Sequence, residues 1–180
     1  MFFWYLGMTS AIVLFTLGRR RIDFRVVLLG SLLPNLIDVL IGRVFFARQF
    51  DSSRLFGHTL LLVLVLALGI QLALRGDTAR RWFILPIAAL LHLGLDGMWN
   101  HPITLFWPMF GPFPKMPVAG FWPAVLLRPF SHPIEGIKEL VGLGWLVYLG
   151  FGFSLHKRVP RREFFRTGRL LPARGPAEMN

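Results

Sequence analysis

The apolar residues of this chain gather into long runs separated by short polar breaks. Five runs are candidates to cross a bilayer: residues 2–17, 24–41, 55–74, 82–98 and 137–153. Each approaches the ~20 residues that ~30 Å of hydrocarbon requires, the first and last being short. No basic segment precedes the first run, and Arg19, Arg20 and Arg21 stand where a signal peptide would carry its small-residue cleavage site. It is therefore read as a retained span. Residues 102–133, between the fourth and fifth runs, hold eight of the 13 prolines, interleaved with Phe106, Trp107, Phe110, Phe113, Phe121, Trp122 and Phe130. Proline at this density breaks a spanning helix, and irregular backbone is not tolerated against lipid. The segment is predicted to be an interfacial or re-entrant loop on the outer face, held at headgroup depth by its aromatics. The fold expected is an all-α integral membrane protein with about five transmembrane helices and this loop between spans four and five. Residues 1–155 form the multi-pass domain. Residues 156–180 form a basic cytoplasmic tail, expected to be a flexible arm near anionic lipid.

Composition agrees and removes alternatives. Of the 180 residues, 54% are hydrophobic and 16% charged, against about 25% charged in an ordinary soluble domain. The 18 Phe and 6 Trp exclude intrinsic disorder. The absence of cysteine excludes disulfides, a CxxC redox site, a thiolate nucleophile and Cys-ligated zinc. The net charge of +11 would suggest nucleic acid in a soluble protein, but here it sorts by side. Of the Lys and Arg residues, 14 fall with the C-terminal tail and six on the other side, which predicts a cytoplasmic C-terminus. Nucleic acid is not an expected partner, since the tail has no aromatic interleaving beyond Phe164-Phe165.

Few ionisable side chains fall inside the runs: Asp38, His58, His92 and Asp96, with Glu139 near an edge facing the interface beside Lys138. Such groups are costly in hydrocarbon unless paired, so a functional role is the default expectation. At 1.5 Å per residue, Asp38 and Asp96 each lie ~21 Å from the cytoplasmic side, with His58 and His92 at similar depth, all in the outer half. His92 and Asp96, four apart, share a helix face. Asn35 and Asp38 directly follow Pro34, whose kink would open room beside Asp38. Two imidazoles and two carboxylates from three helices suit a divalent metal, with zinc the first expectation and manganese or iron also compatible. The metal would acidify a water, and a remaining carboxylate would act as general base. The competing reading is structural: His92 and Asp96 pair with each other, and His58 caps a helix end. His101 lies just outside span four, within reach of the same cavity, whereas His132 reads as a solvated loop histidine.

Three ordered segments carry a resemblance: Gly30-Ser31-Leu32-Leu33-Pro34-Asn35-Leu36-Ile37-Asp38, Gly57-His58-Thr59-Leu60 and His92-Leu93-Gly94-Leu95-Asp96. Together with Trp99-Asn100-His101-Pro102 and Leu105-Phe106-Trp107-Pro108, they resemble the YdjM-like bacterial inner-membrane proteins over residues 24–111. That family is classed as membrane-bound metal-dependent hydrolases through a distant similarity to zinc-dependent phospholipase C and related nucleases. The resemblance implies an inner-membrane location and a phosphodiester or phospholipid substrate. It also implies His58, His92 and Asp96 as metal ligands, with Asp38 as fourth ligand or base. Asn35 stands where the family has an aspartate, which leaves Asp38 the only acid of its span and admits an inactive relative.

The leading expectation is a metal-dependent hydrolase acting on a lipid or phosphoester at the outer face. In it His101 gives a proton to the leaving group, and the proline-aromatic loop covers the cavity. The alternative is a non-enzymatic membrane protein, either a metal or proton carrier or an assembly factor.

Overall fold

The longest continuous apolar helix begins at Phe24. Asp23 caps its first turn by accepting from the Arg25 backbone N–H at 3.1 Å. Helix α2 (Phe24–Val39) then runs on through a π-helical turn, Leu40–Phe45. The combined 22 residues form the one helix among the described residues that is long and apolar enough to cross a membrane, about 33 Å at 1.5 Å per residue. A computed structural model describes residues 1–18, 22–50, 52, 54–115 and 132–170. The remaining elements are α1 (Phe3–Leu17), α3 (Ala47–Phe50), α4 (Leu60–Ala73), α5 (Gly76–Trp82), α6 (Ile84–Leu95), α7 (Pro102–Leu105), α8 (Pro133–Gly152) and α9 (Arg158–Thr167). Short 3-10 turns cover Phe56–His58 and Met98–Asn100.

No strand occurs among the described residues, so the all-helical class holds. Five full-length spans do not all appear. Helices α1 and α4 are apolar but shorter than a full crossing. The predicted third run gives its first residues to the 3-10 turn that carries His58, and α4 starts only at Leu60. The predicted fourth run is cut at both ends. Its first residue, Trp82, closes α5, and Gly97 takes a left-handed φ of 69° that ends the α6 helix.

Helix α2 packs along α6, and α1 packs along α8. Both crossings are close. A Cβ on Gly30 would meet Ala88 and the Leu85 backbone, and a Cβ on Gly7 or Gly142 would strike the opposite helix backbone. Helix α4 buries no residue and turns Leu64, Val65, Leu68 and Leu72 outward, which is the surface a lipid environment tolerates. Glu139, expected to face the interface, instead reaches from α8 to α1. Its carboxylate accepts the backbone N–H groups of Phe2, Phe3 and Trp4, the donors a first helical turn leaves open.

The tail differs from expectation. Residues 158–167 are helical and docked: Phe164 packs against the core and Leu170 is buried in it. The tail's basic composition suggests a free arm, but its spaced apolar residues supply an anchoring face. Residues 171–180, and residues 116–131 of the proline-aromatic segment, lie outside the described residues.

Candidate functional site

The site is assembled by α2, the turn before α4, and the end of α6. Pro34 leaves the carbonyl one turn back without its helical donor. That carbonyl is Gly30's, and the neighbouring carbonyl, of Ser31, accepts from His92 Nδ1 at 2.6 Å. Two turns further along the same face, Asp38 is fully buried. Its carboxylate accepts from the backbone N–H groups of Leu55 and Gly57, each at 2.5 Å, and from His58 Nδ1 at 2.7 Å.

Each residue of Gly57-His58-Thr59 has its own task. Gly57 lies so close to the Pro34 carbonyl and the Asp38 side chain that no Cβ fits. Thr59 is the N-cap of α4, accepting from Leu62 N–H at 3.1 Å while its hydroxyl donates to the Phe56 carbonyl. His58, held between them, aims its free edge at α6. There the Nε2 atoms of His58 and His92 stand 3.4 Å apart, both rings buried.

What this contact can do depends on where the ring protons lie. Both Nδ1 atoms face groups that only accept, so both must carry their protons. With both rings neutral, each presents a lone pair at Nε2, and a cation or a shared proton between the two removes their repulsion. Nitrogen ligands on a tetrahedral zinc, bonded at ~2.0–2.1 Å, lie roughly 3.3–3.4 Å from one another. The donor set and its spacing therefore fit a divalent cation.

Asp96 completes the cluster but is held elsewhere. Its Oδ2 is 3.8 Å from His58 Nε2 and accepts from Arg54 Nε at 2.8 Å. Its other oxygen accepts the Tyr5 hydroxyl, and the Tyr5 ring lies over His92 with centroids 4.0 Å apart. Burial opposes the charge of Arg54, yet the hydrogen bond and charge of Asp96 outweigh it and raise the guanidinium pKa. Among the described residues no three His, Asp or Glu side chains stand as a formed metal cage, because Asp96 is turned toward Arg54 and Tyr5.

Asp38, His58, His92 and Asp96 are thus brought together, though not in equal roles. Asp38 lies behind His58, with its oxygens facing three donors. Asn35 is half-buried, and no described contact joins it or His101 to the cluster. Tyr5 and Arg54 escape sequence reasoning. Their only signals are that Tyr5 is one of two tyrosines, inside a very apolar run, and that Arg54 abuts the start of another. Beside the site, Phe56 packs edge-on against Trp107 and Phe113, which stack on each other, and against Phe50. The described part of the proline-aromatic segment therefore packs onto the turn that bears His58.

A family model described as YdjM inner membrane protein matches residues 4–159. No curated protein matches the chain, and no solved structure does.

Proposed function

We propose that this chain, which belongs to the YdjM inner membrane protein family, is a metal-dependent hydrolase acting on a lipid or phosphoester bond at the outer face of the membrane. The observation that carries this reading is the pair of Nε2 atoms set 3.4 Å apart, each ring locked by an acceptor at Nδ1. Locking of that kind is how proteins orient metal-bound histidines. In this reading His58 and His92 hold the ion through Nε2, and Asp96 turns from Arg54 to join them. A divalent ion, zinc by its ligands, supplies Lewis acidity toward a phosphoryl or carbonyl oxygen. The chain's own residues do the rest. Asp38 and the Ser31 carbonyl fix the imidazoles. Arg54 keeps a cation beside the position where an anionic substrate group would lie. The Phe56–Trp107–Phe113 cluster excludes water on one side and offers an apolar wall to an acyl chain.

The test is metal content and hydrolysis together. Purified protein in nanodiscs is expected to bind about one zinc per chain. His92→Ala and Asp96→Ala are each expected to lose most of it and, with it, chelator-sensitive release of product from phospholipid or phosphoester substrates. Full metal content in both variants would show the site assignment to be wrong. Zinc binding with proton or metal flux in proteoliposomes, and no hydrolysis, would favour a carrier instead.

A further inference from the structure

The end of α2 remote from Asp38 meets α9, whose two sides differ sharply. Pro160, Glu163, Phe164 and Thr167 are half-buried toward the bundle, while Arg158, Val159, Arg161, Arg162, Phe165 and Arg166 are exposed. At 100° per residue, the exposed set forms one face, with Phe165 lying between Arg161 and Arg158. Between residues 157 and 169 there are six cations and one acid, Glu163, which pairs with Arg166 at 3.0 Å.

The face is presented in a fixed orientation. Arg25 Nη1 donates to the Phe165 carbonyl at 2.6 Å, and Phe24 N–H donates to the Gly168 carbonyl at 2.8 Å. Leu170 is 3% exposed within the core. Only residues 153–157 separate α9 from the end of α8, so the helix stays beside the end of the bundle. Its outward side combines guanidinium groups, which match phosphate oxygens in pairs, with a large apolar ring that water does not favour. A helix built this way lies in a membrane interface.

We propose that the exposed face of α9 binds the headgroups of anionic phospholipids in the adjoining leaflet, with Phe165 inserted among the upper acyl segments. The occupant is lipid and not another acidic macromolecule because the face is held beside the start of the longest apolar helix in an inner-membrane protein, where each cation gains from an anionic surface.

The chain has no cysteine, so Val159→Cys accepts a single environment-sensitive fluorophore at an exposed position. The labelled full chain is placed in nanodiscs of phosphatidylcholine alone or with phosphatidylglycerol, plus a headgroup-level spin-labelled quencher. Quenching is expected to rise with phosphatidylglycerol and to reverse at about 0.5 M salt. Replacing Arg158, Arg161 and Arg162 together by Gln is expected to raise the phosphatidylglycerol content for half-maximal quenching at least about fivefold. The triple Lys replacement should retain most of the response. Equal quenching in the two lipids, or an unchanged response in the Gln variant, would overturn the proposal. So would stronger protection of the label by a single-stranded oligonucleotide or an acidic protein than by phosphatidylglycerol. Should the Gln variant fail to fold, the contrast between the two lipids in the otherwise native chain still decides.

Discussion

At the scale of single residues, the chemistry turns on which atoms are already spent. Asp38 faces three donors: the N–H groups of Leu55 and Gly57, and His58 Nδ1. An amide in its place must direct its NH2 at one of them, donor against donor. Asp38→Asn is therefore expected to cost about 1–3 kcal/mol of stability and to lower zinc affinity about 10–100-fold. Thermal melts and competition titration with a zinc chelator would check both. Unchanged affinity would mean that Asp38 does not orient His58. The four ionisable residues of the cluster are legible in the sequence because any such group stands out within an apolar run. Their division of labour is not. Spacing gives the place of Asp38 along its helix but not the direction of its carboxylate, and nothing local tells that Tyr5 and Arg54, from distant segments, hold Asp96.

At the scale of elements, helix starts are better marked than helix ends. Asp23 and Thr59 are cap residues whose type announces a first turn, whereas the ends of α2 and α6 depend on a π-helical turn and a left-handed glycine. Helix α9 reads as a free arm in the sequence because the tail is basic with scattered proline and glycine. What docks it is tertiary: Asp23 accepts from Arg25 Nε at 2.9 Å and Nη2 at 2.6 Å, and the same guanidinium bonds the last carbonyls of α9. Burial would raise the Asp23 pKa, but the Arg25 hydrogen bonds outweigh it and hold the carboxyl below its ordinary value. A depressed carboxylate contributes stability that is complete above the unfolded pKa of ~3.9 and is lost as pH falls through the folded value. Docking of α9 is thus expected to be insensitive to pH from neutrality down to about 4 and to weaken below it. Asp23→Asn should loosen it at pH 7, as faster hydrogen exchange over residues 158–168 than in the native chain. Unaltered exchange there would remove Asp23 from the anchor.

At the scale of the molecule, the helical class follows from apolar run length and the inner-membrane setting from the family, while the number of crossings follows from neither. Run length measures hydrophobicity, and two of the predicted runs exchange their ends for turns or surface helix. The charge asymmetry makes its own prediction. Single cysteines replacing Val159 and Met109, both well exposed, are expected to react with an impermeant maleimide from opposite sides of sealed vesicles, Val159→Cys from the cytoplasmic side. Labelling of both from one side would refute the assigned topology. One helix unites these levels. Ser31 and Asp38, two turns apart on α2, are the acceptors that lock both imidazoles, although His58 and His92 belong to other segments. Any roll or slide of α2 therefore swings the two rings in step. The histidine pair works as one clasp with a single hinge pin, and that pin is fastened to α9 at the far end of the helix.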